Sequence, residues 1–207
     1  MSKKIIRIVG WSTGDNSFGV TKPYLHYFSQ FGNVQILCPT MEMEPCDLLV
    51  IPGGADVDPS RYGEMPGYWT TNPDVYKEHF DRILLPQYIN AKTCIVGICR
   101  GAQSLVTYFG GKLYQHYDQD YSPQHERGKL VHEVVNSKNP KDRFKVNSLH
   151  HQAFRELPDC LEELYYNHVN LNVEIFRHKE LPIFGVQFHP EETGDQYTTN
   201  YIKAMLK

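Results

Sequence analysis

The stretch that decides the fold is Val96-Gly97-Ile98-Cys99-Arg100-Gly101-Ala102-Gln103. The apolar run Cys94–Ile98 leads into it and is typical of a central parallel strand that is buried on both faces. Apolar residues then recur at helical spacing, at Ala102, Leu105, Val106 and Phe109. A cysteine between such a strand and such a helix, with a glycine two residues away on each side, has the pattern of the G-x-nucleophile-x-G elbow. The stretch therefore predicts an α/β fold and a nucleophilic Cys99.

The predicted elbow favours chemistry at Cys99. The amino terminus of a helix carries about half a positive charge, which favours thiolate over thiol. The backbone N–H of Arg100 would point to the place where an oxyanion forms. The alternative is that Cys99 is only a small buried residue at a strand end, which is common for free cysteine. The two glycines and the following helix favour the nucleophile.

A second motif, Val186-Gln187-Phe188-His189-Pro190-Glu191, offers a general base and its orienting group. Pro190 is expected to keep the chain extended, so that His189 and Glu191 project to the same side. A glutamate there can hold the imidazole in one tautomer while the other ring nitrogen faces a thiol. Alone, the motif is weak, because a histidine at a strand end is more often a surface residue. Together with the elbow it predicts a Cys-His-Glu triad.

Strand and helix patterns alternate along the first half of the chain. Strands are predicted at 5–9, 34–37 and 47–51, and helices at 21–31 and 73–89. The second half predicts short strands with little helix between them, at 131–135, 144–146, 164–167, 173–176 and 183–188. A final helix is predicted to start at Thr193-Gly194-Asp195-Gln196, which has the capping-box pattern. One α/β domain over residues 1–207, with an antiparallel extension in its second half, accounts for the whole sequence.

Composition excludes several classes of protein. With 207 residues, 41% hydrophobic and 22% charged, the chain is ordinary for a globular domain. A net charge of −3 gives no indication of electrostatic binding to nucleic acid or to an anionic membrane. No run of 18 apolar residues is present, and the first residues lack a signal-peptide core. The five cysteines contain no CxxC pair, which indicates reduced thiols in the cytoplasm.

No metal or cofactor is expected. His150 and His151 are adjacent, so on a strand they face opposite ways, and no further ligand stands at metal-binding spacing. The sequence has neither a P-loop nor a G-x-G-x-x-G motif, which disfavours ATP and dinucleotides.

The two motifs G-I-C-R-G-A-Q and V-Q-F-H-P-E resemble the class I glutamine amidotransferase superfamily. Within it, three further features are similar to the peptidase C26 or γ-glutamyl hydrolase branch. These are Pro52-Gly53-Gly54-Ala55-Asp56-Val57-Asp58-Pro59 with Arg61-Tyr62-Gly63, the arginine after the nucleophile, and Val146-Asn147-Ser148-Leu149-His150-His151-Gln152. The resemblance covers nearly the whole chain, with its motifs in the expected order.

The resemblance implies a flavodoxin-type, Rossmann-like sheet that is mostly parallel and flanked by helices. It implies that Cys99, His189 and Glu191 form the triad and that the backbone amides of Gly54 and Arg100 form the oxyanion hole. A glycine pair after a strand also lets backbone amides approach a ligand closely, which adds Gly53 to the substrate contacts. The resemblance places the remaining contacts beside the glutamyl head of the substrate, at Gln103, Asn147, Ser148 and His150.

The expected function is hydrolysis of a γ-glutamyl amide of a small molecule, through a γ-glutamyl thioester on Cys99, with release of glutamate and an amine. The alternative is a glutaminase subunit that passes ammonia to a separate synthetase chain. A binding module that has lost its chemistry is disfavoured by the intact triad. The resemblance allows a homodimer and requires a synthetase partner only under the alternative.

Three segments depart from the pattern of the branch, so the sequence does not identify the amine that is released. Lys77-Glu78-His79-Phe80-Asp81 stands where the branch usually has an Arg-Asp pair, with a glutamate three residues after the aspartate. Phe188 replaces a tryptophan before the histidine, and Asn170-Leu171-Asn172 replaces an Asp-Gly segment.

Overall fold

A nine-stranded sheet forms the centre of the molecule in the computed structural model, which describes residues 3–14, 17–117 and 129–207. The sheet order is β4-β1-β5-β6-β13-β12-β11-β8-β9. Two small antiparallel pairs, β2 with β3 and β7 with β10, lie outside it. The strands are β1 (Ile5–Val9), β2 (Trp11–Gly14), β3 (Ser17–Gly19), β4 (Asn33–Leu37), β5 (Leu48–Ile51), β6 (Cys94–Ile98), β7 (Lys112–Tyr114), β8 (His132–Asn136), β9 (Arg143–Val146), β10 (Ala153–Glu156), β11 (Leu161–Asn167), β12 (Val173–His178) and β13 (Ile183–Val186).

Strand direction divides the sheet into two halves. From β4 to β13 the neighbouring strands are parallel. From β13 through β12, β11 and β8 to β9 they are antiparallel. This confirms the predicted mostly parallel sheet with an antiparallel extension from the second half of the chain. Strand β13 lies between the two halves, paired in parallel with β6 and antiparallel with β12.

Helices lie between or directly after the parallel strands. They are α1 (Lys22–Phe28), α2 (Val75–His79), α3 (Leu85–Asn90), α4 (Arg100–Tyr108), α5 (Pro190–Thr193) and α6 (Gln196–Met205), with a 3₁₀ turn at Pro59–Tyr62. The predicted helix at 73–89 is one helical stretch, but a π-helical turn at Phe80–Leu84 separates α2 from α3. Pro86 lies in the first turn of α3 and has no N–H to donate to the preceding turn, which accounts for the interruption.

Apolar side chains cover both faces of the sheet. In β5, Leu48 and Val50 point into one buried cluster and Leu49 and Ile51 into the other. This alternation produces the continuous apolar runs of the central strands, because both faces of the parallel half are covered. The carboxyl ends of β5, β6 and β13 therefore sit on a rigid frame.

Several local predictions were wrong or incomplete. The capping box at Thr193 does not form. Thr193 ends α5, and the Asp195 side chain caps α6 by accepting from the N–H groups of Tyr197 and Thr198. The short strands β2, β3, β7 and β10 were not predicted, since three or four residues carry little periodic signal.

Within the described ranges, no helix is long and apolar enough to cross a bilayer.

Candidate active site

Cys99 lies at the junction of β6 and α4 in a strained backbone conformation. Its φ is 51° and its ψ is −112°, and its N–H donates to the carbonyl of Val186 at 2.8 Å. Positive φ in a residue with a side chain costs of order 1–3 kcal/mol and occurs preferentially at functional sites. The strand, the strained cysteine and the helix have the arrangement that the sequence predicts for an elbow.

The two glycines of the elbow are there because no side chain fits. A Cβ on Gly97 would lie 2.7 Å from Leu105 Cδ1 and 2.8 Å from the Ala102 nitrogen. A Cβ on Gly101 would overlap the carbonyl oxygen of Ile51. The elbow is therefore packed directly against the end of the neighbouring strand β5.

His189 follows β13 and lies between Cys99 and a carboxylate. Its imidazole and the Cys99 side chain both lie against Gly53, and its Nδ1 lies 2.7 Å from Glu191 Oε1. Glu191 reaches it from the first turn of α5 and not from an extended segment. The predicted contact is present, but its predicted cause is wrong, because Pro190 starts a helix. Burial lowers the pKa of His189, but the charge of the Cys99 thiolate and the Glu191 carboxylate outweigh it and raise the pKa to about 10.

Asn147 holds the backbone of His189 in place. Its Oδ1 accepts the His189 N–H at 2.8 Å, and its Nδ2 donates to the His189 carbonyl at 3.1 Å. Asn147 was expected beside the substrate. In the structure its fully buried side chain contacts the peptide groups of the predicted base. Sequence reasoning missed this contact, since the two residues are 42 positions apart.

The glycine pair after β5 runs past the thiol and the imidazole. A Cβ on Gly53 would lie 2.8 Å from His189 Cε1 and 3.5 Å from Cys99 Cβ. The Gly53 N–H donates to the Tyr24 hydroxyl at 3.0 Å, and the Lys77 ammonium donates to the Gly53 carbonyl. Neither Tyr24 nor Lys77 was singled out from the sequence as part of the site.

A buried ionic cluster supports the first turn of α4 behind Cys99. Arg100 Nη2 donates to Glu78 Oε1 at 2.6 Å, and Arg100 Nη1 donates to Asp81 Oδ2. Arg61 donates to the same Asp81 oxygen. The segment that departs from the branch pattern therefore lies directly beneath the elbow, with Lys77 beside the glycine pair.

A small cavity lies beside Cys99. Two of its lining residues have a buried polar atom with no hydrogen-bond partner among the described residues, His150 Nε2 and Gln152 Nε2, and so does Ser148 Oγ, next to them in the chain. Burial lowers the pKa of His150 to about 4, so the ring is neutral near pH 7. Its Nδ1 contacts the Gln152 carbonyl at 2.9 Å, which makes Nδ1 the donor and leaves Nε2 as an acceptor. The cavity is lined by Gly54, Asp56, Cys99, Gln103, Leu149, His150, His151 and Gln152.

Gln103 reaches this cavity from α4. Its Nε2 donates to the Gln152 carbonyl at 3.1 Å and to Gln187 Oε1 at 3.2 Å. His151 turns to other partners than His150, because its Nε2 contacts Asp56 Oδ1 at 2.9 Å and its Nδ1 contacts His116 Nδ1 at 3.1 Å. The neighbouring histidines therefore do not converge on one point.

A larger cavity of about 310 Å³ also borders the glycine pair. It shares Gly54 and Leu149 with the small cavity, and it is bordered by His189 and Glu191. Its remaining lining is mixed in character, from Trp11, Thr21, Tyr24, Gly53, Ala55, Asp74, Lys77 and Glu192. Cys99 therefore borders the small cavity and His189 the wide one.

Comparison with known proteins shows the family and the fold of the chain. The family model Peptidase C26 matches residues 29–191. YvdE of Lactococcus lactis, a glutamine amidotransferase-like protein, is 31% identical over 190 residues, which cover 83% of this chain and 80% of YvdE. The glutamine-hydrolysing GMP synthase subunit of Methanococcus vannielii is 34% identical over 120 residues, 56% of this chain and 62% of that protein. The solved structure of PurLQS from Thermotoga maritima superposes with a TM-score of 0.69 at 14% identity, covering 99% of this chain and 100% of that chain, which shows a shared fold.

Proposed function

Because the chain belongs to the peptidase C26 family, within the class I glutamine amidotransferase-like superfamily, we propose that it is a cysteine hydrolase that cleaves the γ-amide of glutamine. The observation that carries the proposal is that the strained Cys99 and His189 lie together against Gly53, with His189 Nδ1 in contact with Glu191. This is the arrangement that nucleophilic acyl transfer requires: a nucleophile, a base within hydrogen-bond reach, and a third group that orients the base.

In the proposed reaction, the Cys99 thiolate attacks the γ-carbonyl carbon. The resulting oxyanion is held by the backbone amides of Gly54 and Arg100, a contribution typically worth 10²- to 10³-fold in kcat per donor. The C–N bond breaks as His189 gives its proton to the leaving nitrogen. With its pKa raised to about 10, the imidazole carries that proton at neutral pH. Water then attacks the γ-glutamyl thioester, with His189 accepting its proton, and glutamate leaves.

The small cavity is suited to the amino-acid head of the substrate. The neutral His150 offers an acceptor at Nε2 for an α-ammonium group, and the unsatisfied Gln152 amide offers a donor for an α-carboxylate. Gln103 borders the same space. Ser148, which precedes the lining residue Leu149, has a buried hydroxyl that can serve as either donor or acceptor. A ligand that supplies both partners would remove the cost of leaving buried polar atoms unpaired, about 1–3 kcal/mol each.

The relatives favour glutamine as the substrate. In this proposal the released ammonia passes to a separate synthetase chain, which uses its nitrogen. One of those relatives is the glutamine-hydrolysing chain of a GMP synthase. They support this glutaminase better than the free-standing hydrolase of substituted γ-glutamyl amines that the sequence analysis put first.

One observation keeps the hydrolase of substituted amines as a second candidate. The cavity of about 310 Å³ is lined in part by His189, the residue that gives its proton to the leaving nitrogen in the proposed reaction. Ammonia needs a small fraction of that volume, whereas an alkylamine would fill more of it. Under this candidate the cavity contributes binding energy to the leaving group.

The test is glutamate release by the isolated chain from glutamine and from a panel of γ-glutamyl alkylamides, with Cys99→Ala as control. Activity on glutamine, lost in Cys99→Ala, supports the proposal, as does activity that appears only when a synthetase is added. A kcat/KM at least about tenfold higher for a substituted amide, about 1.4 kcal/mol, favours the second candidate. Absence of glutamate release under all these conditions, or a wild-type rate in Cys99→Ala, refutes cysteine hydrolysis.

A further inference from the structure

We propose that Lys77 is a positioning residue that fixes the Gly53–Gly54 peptide with the Gly54 N–H directed at the oxyanion. The inference rests on the proposed function, in which the Gly54 amide stabilises the tetrahedral intermediate. It adds a residue that touches neither the reacting atoms nor the thiol and that acts through the backbone of its neighbour.

Both polar groups of Gly53 are held by side chains from the surrounding helices. Tyr24, from α1, accepts the Gly53 N–H at 3.0 Å. Lys77, from α2, donates to the Gly53 carbonyl, and its side chain is almost fully buried at 4% exposure. A Gly-Gly segment has more freedom to rotate than any other dipeptide, so its orientation has to be imposed from outside. These two contacts impose it.

The direction of the Gly53 carbonyl determines the direction of the Gly54 amide. No cis peptide bond occurs among the described residues, and across a trans peptide the carbonyl and the following N–H point in opposite directions. A Cβ on Gly54 would overlap the Lys77 ammonium, so the lysine occupies one side of the strand end. Cys99 and His189 contact the same strand end at Gly53. With its carbonyl fixed on Lys77, the peptide directs the Gly54 N–H away from the lysine.

The buried surroundings of Lys77 disfavour a charged amine, so its presence needs an explanation other than stability. Burial and the neighbouring charge of Arg100 lower the pKa of Lys77 to about 7, so the structure bears a cost for keeping an amine there. The ammonium also lies 4.9 Å from the centre of the Trp11 ring. A methionine would fill the same space without a charge. An amine at this position is therefore better explained by the carbonyl that it holds than by packing.

The experiment compares Lys77→Met with Lys77→Arg, using glutamine and γ-glutamyl-p-nitroanilide as substrates. Lys138→Met, at a side chain 75% exposed, is the matched control. Two rates are measured across pH: turnover, and alkylation of Cys99 by iodoacetamide. Alkylation needs the thiolate but forms no oxyanion, so it reports on the nucleophile alone. At the high-pH plateau Lys77 is an uncharged amine that still has N–H groups to donate to the Gly53 carbonyl, so comparing rates there removes any effect of the lysine charge on thiol ionisation.

We expect Lys77→Met to lose about 10- to 100-fold in plateau kcat, with KM changed less than about threefold and plateau alkylation unchanged. Lys77→Arg, which keeps a cationic donor, should recover most of the loss. Equal plateau kcat in wild type and Lys77→Met overturns the inference, and so does a parallel loss of alkylation. Should Lys77→Met fail to fold, Tyr24→Phe decides by the same two rates, because it removes the other support of Gly53. A wild-type chain inactive on every substrate refutes the proposed function, whereas an active wild type with an unaffected Lys77→Met refutes the lysine's role alone.

Discussion

Replacing Asp81 by asparagine tests whether the ionic cluster beneath the elbow is held together by its charges. Asp81 is 2% exposed, and its Oδ2 accepts hydrogen bonds from both Arg61 and Arg100. With Glu78, the buried part of the cluster contains two guanidinium groups and two carboxylates. The substitution leaves the two guanidinium groups facing one carboxylate, at nearly the same side-chain volume.

The size of the effect follows from the burial of the partners. The side chains of Arg61 and Arg100 are 7% and 2% exposed, so neither guanidinium gains compensating water when its partner is lost. Removing one member of a buried ion pair typically costs 3–5 kcal/mol. Asparagine keeps one carbonyl acceptor, which places the expected loss near the lower end, at about 3 kcal/mol. That is a large part of the 5–15 kcal/mol by which domains are usually stable.

The assay is urea unfolding at pH 7, with Glu162→Gln as the matched control. Glu162 also contacts two cations, Lys138 and Arg177, but these side chains are 75% and 46% exposed. Such surface pairs are worth about 0–1 kcal/mol, so the control should lose no more than that. A loss in Asp81→Asn as small as that in the control would refute the reasoning, since it would mean that the cluster is solvated.

Three further outcomes are expected. Cys99→Ala should abolish turnover and still fold. Glu191→Gln should keep a residual rate about 10²- to 10⁴-fold below wild type, because the glutamate only orients the base. If both variants were equally inactive in glutamate release, Glu191 would have a larger role in catalysis than orienting His189. Limited iodoacetamide followed by peptide mass analysis should modify Cys99 before Cys46, whose pKa burial raises to about 11; earlier labelling of Cys46 would contradict the elbow. Burial lowers the pKa of His150 to about 4. Between pH 6.5 and 4 the unfolded chain therefore binds a proton that the folded chain does not bind. Falling pH then lowers the free energy of unfolding by up to about 3 kcal/mol. His150→Gln should lack this dependence in urea titrations, and parallel curves for the two proteins would exclude it.

The elements that the sequence predicts well are those with a long or continuous pattern. Strands β1 and β6 have the predicted bounds, because their aliphatic and mostly β-branched residues are concentrated in five positions. The elbow was also predictable, because its two glycines flank the cysteine at a fixed spacing between a strand pattern and a helix pattern. Short strands such as β2 and β7, with four and three residues, have too little periodicity to be detected.

What the sequence could not predict in the site depends on contacts distant along the chain. Asn147 was recognisable as a motif residue, but its contact with the His189 backbone appears only when β9 and β13 are placed in the same sheet. Lys77 carried a signal, because it stands in the segment that departs from the branch pattern. Its proximity to Gly53 depends on how α2 packs beside the end of β5, and local sequence does not contain that information.

The position of β13 between the two halves of the sheet has a consequence for biosynthesis. The proposed nucleophile, Cys99, follows β6, but the proposed base, His189, comes 90 residues later, after β13, which pairs with both β6 and β12. At about 5–20 residues per second, a ribosome needs several seconds to add that stretch. Until β13 inserts, Cys99 lacks the neighbouring imidazole, and no strand pairing joins the parallel and antiparallel halves of the described sheet. Under the proposed function, the nascent chain therefore cannot consume substrate before the sheet is complete.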